Sequence, residues 1–94
     1  MREGHTPFKV LGFEQVTSIA TAKKLPTVPN GCTACLIQAE AQPVRWRVGA
    51  DPTTAIGMRL LTTEEALFLP FAPHDVRVIE EASAGKVNVT YLGQ

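Results

Sequence analysis

The chain is predicted to form an all-β domain, a small antiparallel β-sandwich or β-barrel of jelly-roll-like kind, with at most one short helical turn. Three observations carry this expectation. Val76 and Val78 flank Arg77, and Val87, Val89 and Tyr91 alternate with Asn88 and Thr90, the period of two of a half-buried strand. Turn residues recur at short intervals, at Pro26–Gly31, Gly49–Pro52, Pro70–His74 and Ser83–Gly85. No apolar stripe of period 3.6 persists over three turns, which argues against a helical bundle and a parallel α/β fold.

The strands are expected in the following order. Phe8–Thr17 comes first, with Gly12 as a bulge, after residues 1–7 as an N-terminal arm. Ile19–Leu25 is a weaker second strand, rich in Ala and Thr. Thr33–Gln42 and Val44–Val48 follow, separated by Pro43, which has no N–H to give a central ladder. Arg59–Leu69 admits two readings. Thr62 and Glu65 have the spacing of a capping box, which gives one helical turn, or the same residues form a polar turn into a strand from Ala66 to Phe71. The Val76 and Val87 segments close the chain.

With 94 residues, the sequence holds one domain, 1–94. Such a chain buries roughly 60–65% of its unfolded surface, so its core is modest, and added stability from neighbouring subunits is an expectation. Nine basic residues balance nine acidic ones. A neutral chain lacks the clustered positive excess that displaces counterions from nucleic acid, so no nucleic-acid partner is expected. No run approaches the ~18 apolar residues of a membrane span. Met-Arg-Glu-Gly-His-Thr-Pro places an acid, a glycine and a proline where a signal peptide carries its apolar stretch. Synthesis in the cytoplasm is therefore expected, with no membrane partner.

The chemical candidates are weak. Cys32 and Cys35 form a Cys-x-x-Cys, but zinc needs two more ligands and only His5 and His74 exist, in no paired motif. A redox site needs a helix starting at the first cysteine, whereas Asn30-Gly31 signals a turn and Thr33–Ile37 a strand. In a regular strand two residues three apart face opposite sides, so the pair reads as two small apolar side chains with free thiols. Glu40, Asp51, Glu64, Glu65, Asp75, Glu80 and Glu81 supply carboxylates, yet a catalytic pair needs one of them in a dry pocket. Neither a G-x-S-x-G nor a phosphate-binding glycine motif occurs. The expectation is a protein that is not an enzyme, with no cofactor, metal or small-molecule substrate.

The stretch "PVRWRVGADPTTAIGM", residues 43–58, is the remaining candidate. In a strand Val44, Trp46 and Val48 share one face, and Arg45 and Arg47 share the other. The alternation places Trp46 in the core, with Val44, Val76, Val78, Val87, Val89 and Tyr91. An exposed Trp46, stacking on a sugar or base, is the alternative. Arg45 and Arg47 then point outward and suit the carboxylates of a neighbouring subunit. Asp51, Thr53 and Thr54 complete this expected subunit interface, on a loop shaped by Gly49, Pro52 and Gly57.

The order "ACLIQAEAQPVRWR", then "TAIGM", then "VRVIEEASAGKVNVTYL" resembles the small structural proteins of tailed bacteriophages and prophages. The resemblance covers roughly residues 34–92. Gln38, Ala39 and Glu40 stand in that family's first motif, Arg45, Trp46 and Arg47 in its second, and Gly57 and Met58 in its last. The chain departs from it at Val48-Gly49-Ala50-Asp51, a shorter and less acidic loop, and at the cysteines, where the family carries small residues. The resemblance implies a virion-associated β-protein present in many copies. It would be a capsid decoration or cement protein whose partners are itself and major capsid or other virion proteins. The alternatives are a head–tail or tail adaptor and a small receptor- or glycan-binding module.

Overall fold

The computed structural model describes residues 8–94, so the expected arm at 1–7 lies outside the described residues. Eight strands follow one another: β1 (Lys9–Val16), β2 (Lys23–Lys24), β3 (Cys32–Glu40), β4 (Val44–Val48), β5 (Met58–Leu60), β6 (Leu67–Leu69), β7 (Val76–Glu80) and β8 (Lys86–Gly93). They form two four-stranded sheets in the orders β1-β8-β3-β6 and β2-β7-β4-β5, every pair antiparallel. The pairs β1–β8, β2–β7, β3–β6 and β4–β5 are nested within one another along the chain. The chain is thus one long hairpin, folded over into two sheets: an eight-stranded jelly roll. Its tip is the loop between β4 and β5, the Gly/Asp/Pro/Thr stretch of residues 49–57.

The core lies between the sheets, where the alternating residues meet. Val44, Val76, Val78, Val87, Val89 and Tyr91 are all buried and belong to one cluster with Val16, Ile37, Leu60 and Leu69. β-Branched side chains fill this space because they lose little freedom on a pleated surface. Tyr91 faces Gly12 on β1 and Cys35 on β3, small neighbours that leave room for its ring. Its hydroxyl donates to Glu14 at the sheet edge. The bulge expected at Gly12 is present, as the register shift between Val10 and Gly12.

Four expectations are corrected. The second strand is only Lys23–Lys24. Ser18 adopts φ +59° and ends β1, and Ile19 and Leu25 are buried on either side of the two paired lysines. The segment follows β7, with Glu80 N–H donating to Ile19 O at 3.0 Å and Leu25 N–H to Val76 O at 3.2 Å, but it does not hold a continuous ladder.

The cysteines do not face opposite sides. A register shift between Cys32 and Ala34 adds a residue to β3, so both thiols enter the core. Cys32 Sγ donates to Ala34 O at 3.2 Å, and burial pushes the Cys35 thiol up to about 12. A thiol so held is protonated at neutral pH and is a poor nucleophile.

Between β5 and β6 the polar-turn reading holds and the capping box does not form. Glu64, not Glu65, accepts the N–H of Leu61 at 2.8 Å, and the strand that follows is limited to Leu67–Leu69.

The fourth correction is Trp46. It points inward, opposite Met58 and Val78, but lies at the margin of the core and is only partly buried. Its neighbours at the end of the sheet, Val48 and Met58, are 50% and 61% exposed. Strands β5 and β6 are short edge strands of different sheets, so the sandwich is open there. Trp46→Ala is accordingly expected to cost about 2–3 kcal/mol, below the ~3–5 of a fully enclosed aromatic, in urea unfolding. A loss above that range would place the indole in the closed core.

Candidate functional interface

The outer faces of the two sheets differ in kind. Arg45 and Arg47 alternate with the inward residues of β4, Arg59 lies opposite Arg45, and Arg77 lies opposite Arg47. Lys24 lies opposite Arg77. All four arginines among the described residues therefore stand on the outer face of the β2-β7-β4-β5 sheet. Like charges directly opposite in a sheet repel, and each pair has been given an acid.

Glu81 neutralises the first pair. Its Oε2 accepts Arg45 Nε at 2.7 Å and Arg59 Nε at 2.8 Å, and its Oε1 accepts Arg59 Nη2 at 2.9 Å. Arg45 also donates from Nη1 to Gly57 O at 3.1 Å, which ties the strand to the end of the tip loop. The Arg45 stem lies beside Ile79, its cross-strand neighbour, which is 8% exposed although it is on the outer face. Arg77 is held by Asp51 at 3.1 Å and Asp75 at 3.0 Å, with Lys24 Nζ 3.5 Å from the same Asp75 oxygen.

These contacts settle where the expected interface residues lie. Arg45 is committed to Glu81 within the chain, and Asp51 to Arg77. Thr53 folds the tip: its Oγ1 accepts the N–H groups of Ala55 and Ile56 at 3.2 and 3.0 Å, and its own N–H donates to Ile56 O at 2.8 Å. Thr54 is exposed on the same loop. Arg47 is exposed and forms no ion pair among the described residues. Sequence reasoning missed Arg59, Arg77 and Glu81, because they join Arg45 and Arg47 only through strand pairing.

The same contacts predict an acid response. Hydrogen bonds from Arg59 and then Arg45 hold the Glu81 carboxyl below its ordinary range, and Arg77 does the same to Asp75. A carboxylate with a lowered folded-state pKa contributes stability that is present above its unfolded value, near 4.3 for Glu. That contribution is lost as pH falls through the folded value. Glu81→Gln is expected to be less stable than the parent at pH 7, with the gap closing below about pH 4. A gap in melting temperature that stays constant down to pH 3 would rule this out.

The outer face of the β1-β8-β3-β6 sheet carries Phe13 of β1, Thr90 of β8, Leu36 of β3 and Phe68 of β6 in one cross-strand row. Val10, Leu92 and Ala34 form the row above. Phe8 packs edge-to-face on Phe68 with ring centroids 5.7 Å apart. β1 and β6 are opposite edges of this sheet, so this ring contact joins residues from both edges. Ala34 and Leu92 are buried there, although neither belongs to the core between the sheets. Below the apolar rows lies a polar one, where Gln15 Nε2 donates to Asn88 Oδ1 and Asn88 Nδ2 donates to Glu40, both at 2.9 Å.

At the open edge, Trp46, Met58, Leu60, Leu67 and Phe68 line a cleft of about 590 Å³, with Glu64 and Glu65 on its rim. No group of three or more metal-ligating side chains occurs among the described residues, and no helix there is long and apolar enough to cross a membrane.

Fold and surface together define a small jelly-roll sandwich with one cationic and one apolar outer face. No protein-family model, no curated protein and no solved structure matches the chain.

Proposed function

We propose that the chain is a non-enzymatic structural protein of a bacteriophage particle, a decoration or cement protein that stabilises the shell by contacts between subunits. The observation that carries this reading is the cationic outer face, on which Arg47 stands exposed beside three acid-braced arginines. The bracing holds Arg45, Arg59 and Arg77 in place, so a preorganised face meets the partner with little ordering cost. A carboxylate-bearing protein surface is the matching partner, since Arg forks bind carboxylates in two-point geometry. The jelly roll recurs in viral capsid domains and in lectins, which supports the reading by analogy of fold alone. Two of the three motifs that carry the phage resemblance lie on this sheet and its tip loop, Arg45, Trp46 and Arg47 and then Gly57 and Met58, while Gln38, Ala39 and Glu40 lie on β3 of the other sheet.

The test is the copy number of the chain in purified particles, followed by the incorporation of Arg47→Glu. A decoration protein is expected at a number that scales with the shell lattice, and a neck or tail adaptor at the few copies of a single vertex. Arg47→Glu is expected to keep its melting temperature and to lose at least about tenfold in shell binding, as a charge reversal at a rim contact does. Full incorporation of that variant would overturn the assignment of the face.

A further inference from the structure

The apolar outer face of the β1-β8-β3-β6 sheet is a second surface, and the shell reading makes no use of it. Phe13 and Val10 are 65% and 69% exposed, and Phe8 and Phe68 are 43% and 44% exposed. With about 200 Å² for a phenylalanine, these four side chains present roughly 400 Å² of apolar surface to water. We infer that this face pairs with the same face of a second copy of the chain, across a two-fold axis.

Two arguments select a second copy. The first is charge. In a two-fold contact each patch meets itself, so any net charge on it is doubled against its own kind. The arginine face is unfit for that. The apolar face carries Phe13, Thr90 and Leu36 at its middle and the Gln15–Asn88 amides below, and its charged residues at the strand ends, Lys86 and Glu40, are opposite in sign and face each other across the sheet.

The second argument is area. A standard interface buries about 800 Å² on each partner, with somewhat more than half of it apolar. Roughly 400 Å² of apolar surface fits the lower end of that class. The pair is therefore expected to be reversible, with a dissociation constant on the order of 10 µM, and not an obligate dimer. The rows are also suited to the contact: the Phe8 and Phe68 rings, from the two edges of the sheet, already pack edge-to-face, and Ala34 and Leu92 on the same face are buried. The inference stands apart from the shell reading, because it rests on different residues and on the opposite sheet.

Sedimentation velocity of the full chain, over a range of concentrations spanning about 1 to 300 µM, tests it. The parent protein is expected to pass from monomer to dimer across that range. Phe13→Glu and Val10→Glu are expected to weaken the dimer at least about tenfold, with Trp46 emission and far-UV circular dichroism unchanged. Phe13→Ser gives the same test without a charge, should either glutamate variant fail to fold. Arg47→Glu is expected to dimerise as the parent does, which separates this surface from the shell contact. A parent protein that stays monomeric throughout would overturn the inference. So would a dimer that survives both Phe13 variants, or one abolished by Arg47→Glu.

Discussion

Tyr91→Ala is expected to destabilise the domain by about 3–5 kcal/mol, the cost of removing an enclosed aromatic ring. Tyr91 is 2% exposed and is the largest of the fully buried side chains. Its cross-strand neighbours are Gly12 and Cys35, so nothing large stands ready to fill the space. The truncation also strands Glu14, whose Oε2 receives the phenol and the N–H of Thr27 at 3.1 Å. Desolvation, and then the bond to Glu14, raise the phenol well above its ordinary pKa, so it remains a donor at any working pH. Tyr91→Phe isolates that contribution and is expected to cost only about 1 kcal/mol. Urea unfolding followed by Trp46 emission measures both. A loss below about 2 kcal/mol for Tyr91→Ala would mean that β1 collapses onto the space, and that the Gly12 bulge is pliable.

Gly57→Ala is the second large effect. Gly57 sits at φ +136°, where side chains are strained, and an added Cβ would lie 3.0 Å from Pro52 Cβ and 3.1 Å from the carbonyl oxygen of Trp46. One neighbour is buried proline and the other is backbone, so neither yields as a flexible chain end does. The expected cost is about 1–3 kcal/mol, a fall of roughly 5–15 °C in melting temperature for a domain of this size. Gly57 O also accepts from Arg45, so the variant is expected to loosen the Arg45–Glu81–Arg59 group. Gly31→Ala is the control: Gly31 shares a positive φ of +82°, but nothing lies within 4 Å of its added Cβ. Equal melting temperatures for the two variants would show that the crowding at Gly57 does not matter.

Much of the fold was legible because alternation reports burial directly. Val44–Val48 is a strand with the limits expected, and the Val76, Val87 and Tyr91 segments bury the residues their period predicts. Where a bulge intervenes, the period misleads. The two cysteines would part company in a regular strand, but one extra residue at Thr33 brings both inward.

Trp46 kept its predicted face but not its predicted depth. Alternation tells which way a side chain points, and says nothing of how near it stands to an open end. The interface was half legible. Arg45 and Arg47 share a face by spacing alone, whereas Arg59, Arg77 and Glu81 reach them through pairings that no local pattern encodes. The apolar face left a faint signal in Cys35-Leu36-Ile37, three apolar residues in succession, one of which must point away from the core.

The nesting of the strand pairs also bears on how the chain finds its fold. Trp46 pairs with Met58 across a short loop, while Lys9 pairs with Gly93 across nearly the whole sequence. Closing the Lys9–Gly93 loop in one step would carry the largest closure entropy of any strand pair in the fold. Once the tip of residues 49–57 has turned, each outer pair closes only the few links added since the pair inside it. The turn held by Thr53 is thus the least costly place to begin, and long-range order is completed at the two chain ends.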